Sequence, residues 1–292
     1  SKNDPLLAEV ARARAFAARE GKTLIVFVGG DLSHDIFIDD VIVLKGSQYR
    51  HLLRSNEVIV PPIIEDPRGE VHFRSKSVLP VVSFCGWAGF STLNSYLKYQ
   101  IKNAVVNFQS LFHPELLATK KGLYWRRRAI RGLVRNRRIQ CRFIIRPTFS
   151  GSKKTIVIDP SIARAQFLDN LENSHFVLAP KGDANFSLRF YEALALGRIP
   201  ILVDTDTVLP LEDEIDYDRF VVRVPMNKIG RVGDLVSERY VATSENEFIE
   251  MQKLGRAMYR GYLRYDSFFN KLFASNKLHD IAATLYAEDT TE

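Results

Sequence analysis

The sequence predicts an α/β fold built on parallel sheets, and three observations carry that expectation. Short runs of Val, Ile, Leu and Phe alternate with helix-like stretches along most of the 292 residues. The segment 173–200, NSHFVLAPKGDANFSLRFYEALALGRIP, reads as strand, glycine turn, helix and strand. No run approaches the ~20 apolar residues of a membrane-spanning helix, and 46% hydrophobic with 26% charged residues is an ordinary globular balance.

The elements follow in order. Residues 5–20 are alanine-rich and set Leu6, Val10, Ala13 and Ala17 near one helical face. Thr23 to Val28 is a buried-type strand followed by Gly29-Gly30-Asp31, and Asp40 to Leu44 and Val58 to Val60 are further strands. Glu65 to Lys76 is polar and reads as a linker. Val78 to Cys85 is a strand running into Gly86-Trp87-Ala88-Gly89, and residues 91–118 are mixed. Residues 122–136 make a basic helix, Cys141 to Ile145 a strand, and Ile162 to Glu172 a helix. Phe220 to Val224 is a strand, and 244–265 and 268–286 are helices whose aromatic residues suit core packing.

Segment 173–200 is the most informative. His175 to Ala179 is a strand, broken by Pro180-Lys181-Gly182-Asp183, a turn that exposes backbone N–H groups beside a cation. Ser187 is placed to cap the next helix. Phe190, Ala193 and Leu194 give that helix a buried side, Arg189 and Glu192 can face a cleft, and Gly197 ends it before Ile199 to Val203. A basic loop and a helix N-terminus at the end of a parallel strand form an anion site, typically for phosphate. An acidic residue one turn into the helix suits ribose hydroxyls.

Net charge is +7, concentrated in Arg126-Arg127-Arg128, Arg131 and Arg135 to Arg138. Such a stretch attracts phosphate, anionic lipid or acidic sugar. Cys85 and Cys141 each lie in an apolar run and read as free thiols. The sequon Asn185-Phe186-Ser187 falls inside the anion site, where a glycan would block it.

This segment resembles the donor-binding motif of the exostosin family of glycosyltransferases. A strand and a Pro-basic-Gly turn precede Ser187-Leu188-Arg189-Phe190-Tyr191-Glu192-Ala193-Leu194. The resemblance continues through Gly197, Pro200 and Leu209-Pro210-Leu211-Glu212-Asp213, and upstream through Glu57 to Pro62 and Leu79 to Gly86. It implies two Rossmann-like domains facing a cleft, a GT-B-like arrangement with a short N-terminal domain. The expected parts are 1–77 as acceptor side, 78–265 as nucleotide-sugar donor domain, and a last helix at 266–292 that packs back on the first domain.

The resemblance implies inverting transfer of a sugar from a nucleotide-diphosphate sugar, by family a UDP-sugar, to a glycan or lipid-linked acceptor. Such transfer needs stabilisation of a diphosphate leaving group and a base for the acceptor hydroxyl. Arg189 and Lys181 are candidates for the diphosphate, and Glu192 for the ribose. Gly182 lets backbone approach the nucleotide, and Asp183 either contacts donor or acceptor or caps its turn. Gly86 lines the diphosphate from the other side, where Arg127 or Arg128 can also reach. Asp31 or His34 is the candidate base.

No metal site is expected: Cys-x-x-Cys and His-x-x-x-His are missing, and Asp204-Thr205-Asp206 reads as a turn or sugar contact. No cofactor beyond the sugar nucleotide is expected. No secretory signal stands at the N-terminus, and Ser1 in place of Met points to processing or trimming. The expected location is the cytoplasm, peripheral on the inner membrane face, or the Golgi lumen should an anchor have been removed. The stretch Arg126–Arg138 is expected to meet an anionic membrane or acidic glycan. The competing reading is a catalytically degenerate glycan- or partner-binding module on the same fold. A nucleic-acid partner is not expected, since no zinc, RNA-recognition or helix-turn-helix signature is present.

Overall fold

The structure, a computed structural model, describes residues 5–30, 36–66, 69–148 and 158–289. They fall into two compact units. The first is drawn from Ser1–Ile63, Asp206–Glu214 and Gly261–Glu292, the second from Ile64–Thr205 and Ile215–Arg260. Both carry all-parallel sheets, as the alternation of strands and helices predicts.

In the first unit, helix α1 (Pro5–Arg19) precedes strands β1 (Ile25–Val28), β2 (Ile42–Lys45) and β3 (Glu57–Ile59), paired in the order β1-β2-β3. Val28, Ile38, Val41 and Val43 form its small core, with Val10 of α1 packed against them. One ion pair is sealed inside this sheet. Lys45 Nζ lies 2.6 Å from Glu57 Oε1, with the side chains 0% and 1% exposed. Gln48 Nε2 donates to the other carboxylate oxygen at 3.2 Å. Segment 206–214 joins this unit through a bridge between Tyr49 and Thr207 and an Arg50–Glu212 pair at 2.6 Å.

In the second unit the strands are β4 (Val81–Trp87), β5 (Gln140–Arg146), β6 (Phe176–Ala179), β7 (Ile199–Asp204) and β8 (Val222–Pro225). Their spatial order is β5-β4-β6-β7-β8, so the first strand lies between the second and third and the winding reverses between β4 and β6. The helices are α2 (Leu93–Gln109), α3 (Gly122–Val134), α4 (Pro160–Glu172), α5 (Leu188–Ala195), α6 (Val232–Ala242) and α7 (Glu245–Met258). The two-residue period of β6 divides them. Phe176 and Leu178 enter the main core with Trp125, Leu133, Val236 and Phe248, while Val177 meets Leu171, Ala193 and Leu196 on the opposite face.

Strand positions agree with the sequence reading to within three residues at each end, and three elements differ otherwise. Residues 232–242, not read as a helix, form α6, which opens on Val-Gly without a side-chain cap. Its signal is the buried series Val232, Val236 and Tyr240, four residues apart. Gly132 of α3 lets the α6 entry approach closely, since a Cβ there would lie 2.8 Å from Val232 and 2.9 Å from the Ile229 carbonyl. The 65–76 linker is fastened down: Arg74 N donates to Gln252 Oε1 at 2.9 Å and Lys76 Nζ to the Tyr240 carbonyl at 2.7 Å. Residues 244–265 read as one helix, and α7 runs on into a π-helical turn at Tyr259–Leu263, whereas 268–286, also read as one helix, is divided between α8 (Tyr265–Ala274) and a further helix. Helix α9 (Lys277–Asp289) follows and contacts β2 within the first unit.

Removing one partner of the sealed pair strands a charge. Glu57→Ala is expected to cost about 3–5 kcal/mol, and Lys45→Met with Glu57→Leu to recover most of that loss. Urea unfolding of the single and double variants checks it; a double variant as unstable as the sum of the singles contradicts it.

Candidate functional site

At the reversal between β4 and β6 lie the loops leaving the carboxyl ends of both strands, the place where open α/β sheets by general rule form their ligand crevice. The turn after β6 is tightly built. Gly182 N donates to the Phe186 carbonyl at 2.8 Å, and the N-terminus of α3 abuts the turn, with Gly122 N donating to the Gly182 carbonyl at 3.1 Å. A Cβ on Gly122 would strike the carbonyls of Lys181 and Gly182. Asn185 and Thr205, both fully buried, exchange two bonds, from Thr205 Oγ1 at 2.7 Å and from Asn185 Nδ2 to the Thr205 carbonyl at 3.2 Å. That pins the turn to the end of β7 and buries the sequon asparagine.

Helix α5 starts at this turn and aims its opening N–H groups at the crevice. Ser187 holds the N-cap position with extended backbone, φ −136° and ψ 122°, but its side chain makes no capping bond. The capping role expected of it is therefore corrected. Those N–H groups rely on other acceptors.

Two guanidinium groups dominate the crevice. Arg189 Nε donates to the Cys85 carbonyl at 3.1 Å, and its Cζ lies 4.8 Å from the Phe84 ring centroid. Gly86 makes this possible. Its φ of 153° suits glycine, and a Cβ there would fall on Arg189 Nη2. Burial, with Arg146 adding to it, holds Arg189 below the usual guanidinium range against the pull of Glu192. Arg126, on α3, is 9% exposed and sends Nη1 to the Trp87 carbonyl at 3.3 Å and Nη2 to the Lys181 carbonyl at 3.4 Å. Its Nε is buried without a partner among the described residues. Burial, then the charge of Arg189, brings Arg126 down to about 10, with Asp183 opposing. Among the described residues, neither Arg126 nor Arg189 forms an ion pair with a carboxylate.

Other expected residues take different places. Lys181, expected at a phosphate, is 2% exposed and turns inward, donating from Nζ to the Ala118 carbonyl at 2.8 Å. Burial lowers its pKa to about 7 against the opposing Asp183. Arg127 fastens the loop after β4: Nη1 donates to the Ala88 carbonyl at 2.8 Å and Cζ lies 4.8 Å from the Phe90 ring centroid. The neighbouring Arg126 faces the crevice instead. The signal for this is spacing, since Gly122, Arg126, Ala129 and Leu133 form the buried stripe of α3.

Glu192 Oε1 accepts from Arg164 of α4 at 2.6 Å, an ion pair made with α4 rather than with Arg189. Asp183 is exposed at the turn, within electrostatic reach of Arg126 and Lys181. Asp204 pairs with Arg223 at 3.1 Å, and Asp206, at φ 61°, holds His51. The described residues contain no cluster of three or more His, Cys, Asp or Glu fit for a metal ion. Cys85 and Cys141 are free thiols on adjacent strands, and the register sets Cys85 beside Ile144 and Cys141 beside Val82. Asp31 and His34, the candidate bases, lie outside the described residues.

Comparison with known proteins matches residues 107–238, which hold α3, β5 to β8 and the Lys181-to-Glu192 segment, to the Exostosin GT47 domain. Similar proteins include an Exostosin-1 homolog of Caenorhabditis elegans, 29% identical over 35% of this chain and 25% of that protein. Exostosin-1 of Drosophila melanogaster is 39% identical over 23% of this chain and 9% of that protein. A probable glucuronosyltransferase of Oryza sativa subsp. japonica is 33% identical over 25% of this chain and 17% of that protein. The chain thus spans a quarter or less of the length of these relatives.

Lys181 sets a pH dependence. Its folded pKa near 7 lies below the unfolded value of 10.5, so its penalty is full at pH 7 and below and fades as pH rises towards 10.5. Lys181→Met is expected to raise the melting temperature most at pH 6–7, with the gain shrinking towards pH 10. Parallel melting curves for the two proteins across that range contradict it.

Proposed function

We propose that this chain, whose residues 107–238 match the Exostosin GT47 domain, is an inverting glycosyltransferase that uses a nucleotide-diphosphate sugar. The observation that carries this reading is the Arg126–Arg189 pair at the winding reversal, Arg126 buried and Arg189 half-buried, without a carboxylate partner among the described residues. A site that holds two cations before any ligand arrives is organised for an anion of two or more charges. As the bond from the sugar C1 to the diphosphate oxygen breaks, the electron pair leaves with the nucleotide. Arg126, Arg189 and the N-terminus of α5 stabilise that charge with little reorganisation.

Glu192, one turn into α5, takes the ribose hydroxyls, with Arg164 orienting its carboxylate. The acceptor hydroxyl attacks C1 from the opposite face and passes its proton to Asp31 or His34. The arginine pair supplies leaving-group stabilisation without a divalent ion, so transfer is proposed to be metal-independent. The two units are taken as the acceptor and donor halves of a GT-B transferase, with a growing glycan as acceptor. Uridine is the proposed nucleotide, on the exostosin resemblance, and the rice relative's name makes a glucuronosyl donor the first to try.

A melting-temperature panel of UDP, GDP, CMP, TDP and ADP tests this. UDP is expected to raise the melting point by roughly 5–10 °C at saturation. That gain should be lost in Arg189→Ala and Gly86→Ala and reduced in Glu192→Ala, and UDP-sugar should hydrolyse slowly to free sugar. No shift with any nucleotide contradicts the reading. A UDP shift with no turnover of any UDP-sugar leaves a degenerate binding module instead.

A further inference from the structure

Helix α2 is amphipathic the wrong way round for a surface helix of a globular protein. Such a helix normally turns its apolar stripe to the core. In α2 that stripe is Leu93, Leu97, Ile101, Val105 and Phe108, and it continues past the helix through Leu111 and Phe112. These seven side chains are 50–74% exposed. At 100° per residue, the five within the helix fall in an arc about 120° wide. The side turned to the protein is the more polar one. Tyr99, Asn103, Val106 and Ser110 are half-buried. Tyr99 packs on the main core and lies 5.1 Å from the Phe90 ring centroid, and Asn107 accepts a bond from Lys120. No residue of α2 is fully buried, although Thr92 caps the helix, its side chain accepting from Ser95 N at 3.2 Å.

The charges around the stripe select its occupant. Helix α2 has no carboxylate, and Lys98 and Lys102 flank the apolar arc on one edge. Glu115 is the sole acidic residue of the sequence from 93 to 134. Helix α3 lies beside α2, since Arg127 and Arg131 act electrostatically on Tyr99. Its exposed side presents Arg128, Arg131 and Arg135, spaced as one helical face. The structure thus divides the basic segment: Arg126 turns inward to the crevice, Arg127 fastens the loop after β4, and Arg128, Arg131 and Arg135 form a basic face near an exposed apolar helix. Self-association through α2 would bring the lysines of two copies together around the apolar contact, a repulsive arrangement. A negatively charged lipid surface satisfies both features at once. Apolar side chains enter the acyl boundary while Lys and Arg reach phosphates at headgroup depth.

We propose that α2 is an interfacial membrane-binding helix that lays the Leu93–Phe112 stripe into an anionic bilayer surface, steered by Lys98, Lys102, Arg128, Arg131 and Arg135. It lies in the plane of the surface over about 25 Å and does not span the bilayer. The inference stands on α2 and α3 alone and does not depend on the proposed transferase activity.

Flotation of the full chain with phosphatidylcholine vesicles containing about 30% phosphatidylserine, against phosphatidylcholine alone, tests it at ~0.1 M salt and again at ~0.5 M. The chain is expected to float with the anionic vesicles only, and less at the higher salt. Replacing Leu97, Ile101 and Phe108 together by serine is expected to abolish flotation while melting temperature and gel-filtration position stay unchanged, because these side chains are exposed. Arg128→Ala with Arg131→Ala and Arg135→Ala is expected to weaken partitioning at least tenfold. Phe108→Trp gives a readout that needs no serine variant: its emission should shift blue with anionic vesicles and be quenched by brominated lipid. The proposal is overturned by no flotation on anionic vesicles, by unchanged flotation of the serine variant, or by unquenched emission from the introduced indole of vesicle-bound Phe108→Trp. It is equally overturned if the native chain is an oligomer that the serine variant dissociates, which assigns the face to a second copy.

Discussion

Arg126 and Arg189 together set the terms for the second unit. Both reach backbone carbonyls at the end of β4, Arg189 at Cys85 and Arg126 at Trp87, and the charge of Arg189 makes that of Arg126 harder to hold. Taking a guanidinium out of water costs several kcal/mol unless a carboxylate or good hydrogen bonds compensate. Here the compensation is incomplete: the two bonds of Arg126 are long and its Nε has no partner among the described residues. A bound anion would supply the missing negative charge.

Much of the surrounding architecture holds those two groups in place. Gly86 clears space for one guanidinium, and Phe84 supports it from below. The contact of Gly122 with the Lys181-Gly182 turn fixes the start of α3, and Gly132 seats α3 against the entry to α6. Arg126 sits between these two contacts. Lys181 and Arg127, which look in the sequence like ligand-facing cations, fasten the two loops from within. The crevice is therefore positioned by rigid strand ends and short loops rather than by exposed side chains, as a preorganised site requires.

The parallel α/β class, every strand of both sheets and the strand-turn-helix-strand segment 173–200 were legible in the sequence, because these strands are largely apolar runs punctuated by glycine and proline, even where, as in β1 and β5, they are not fully buried. Helix α6 escaped because its first residues are poor helix formers and packing against α3 overrides propensity. The candidate site was read at Arg189 and Glu192 from one shared helix with a recognisable turn before it. It was misjudged at Lys181 and Arg127, because composition shows that a residue is charged but not which way its side chain points. Arg126 was hidden in a run of three arginines, where only its place on the Gly122-Ala129-Leu133 stripe marks it as internal. The outward stripe of α2 was hidden for a related reason, since periodicity reveals an apolar face but not what it faces.

The most direct measurement compares the melting temperature of the native chain and Arg126→Met, with and without inorganic diphosphate. If the arginine is held for an anion, removing it relieves a buried charge. The ligand-free variant should then melt higher, by about 2–4 °C for each kcal/mol relieved, and diphosphate should stabilise the native chain far more than the variant. A variant that melts lower than the native chain and is stabilised equally by diphosphate would contradict the anion-site reading.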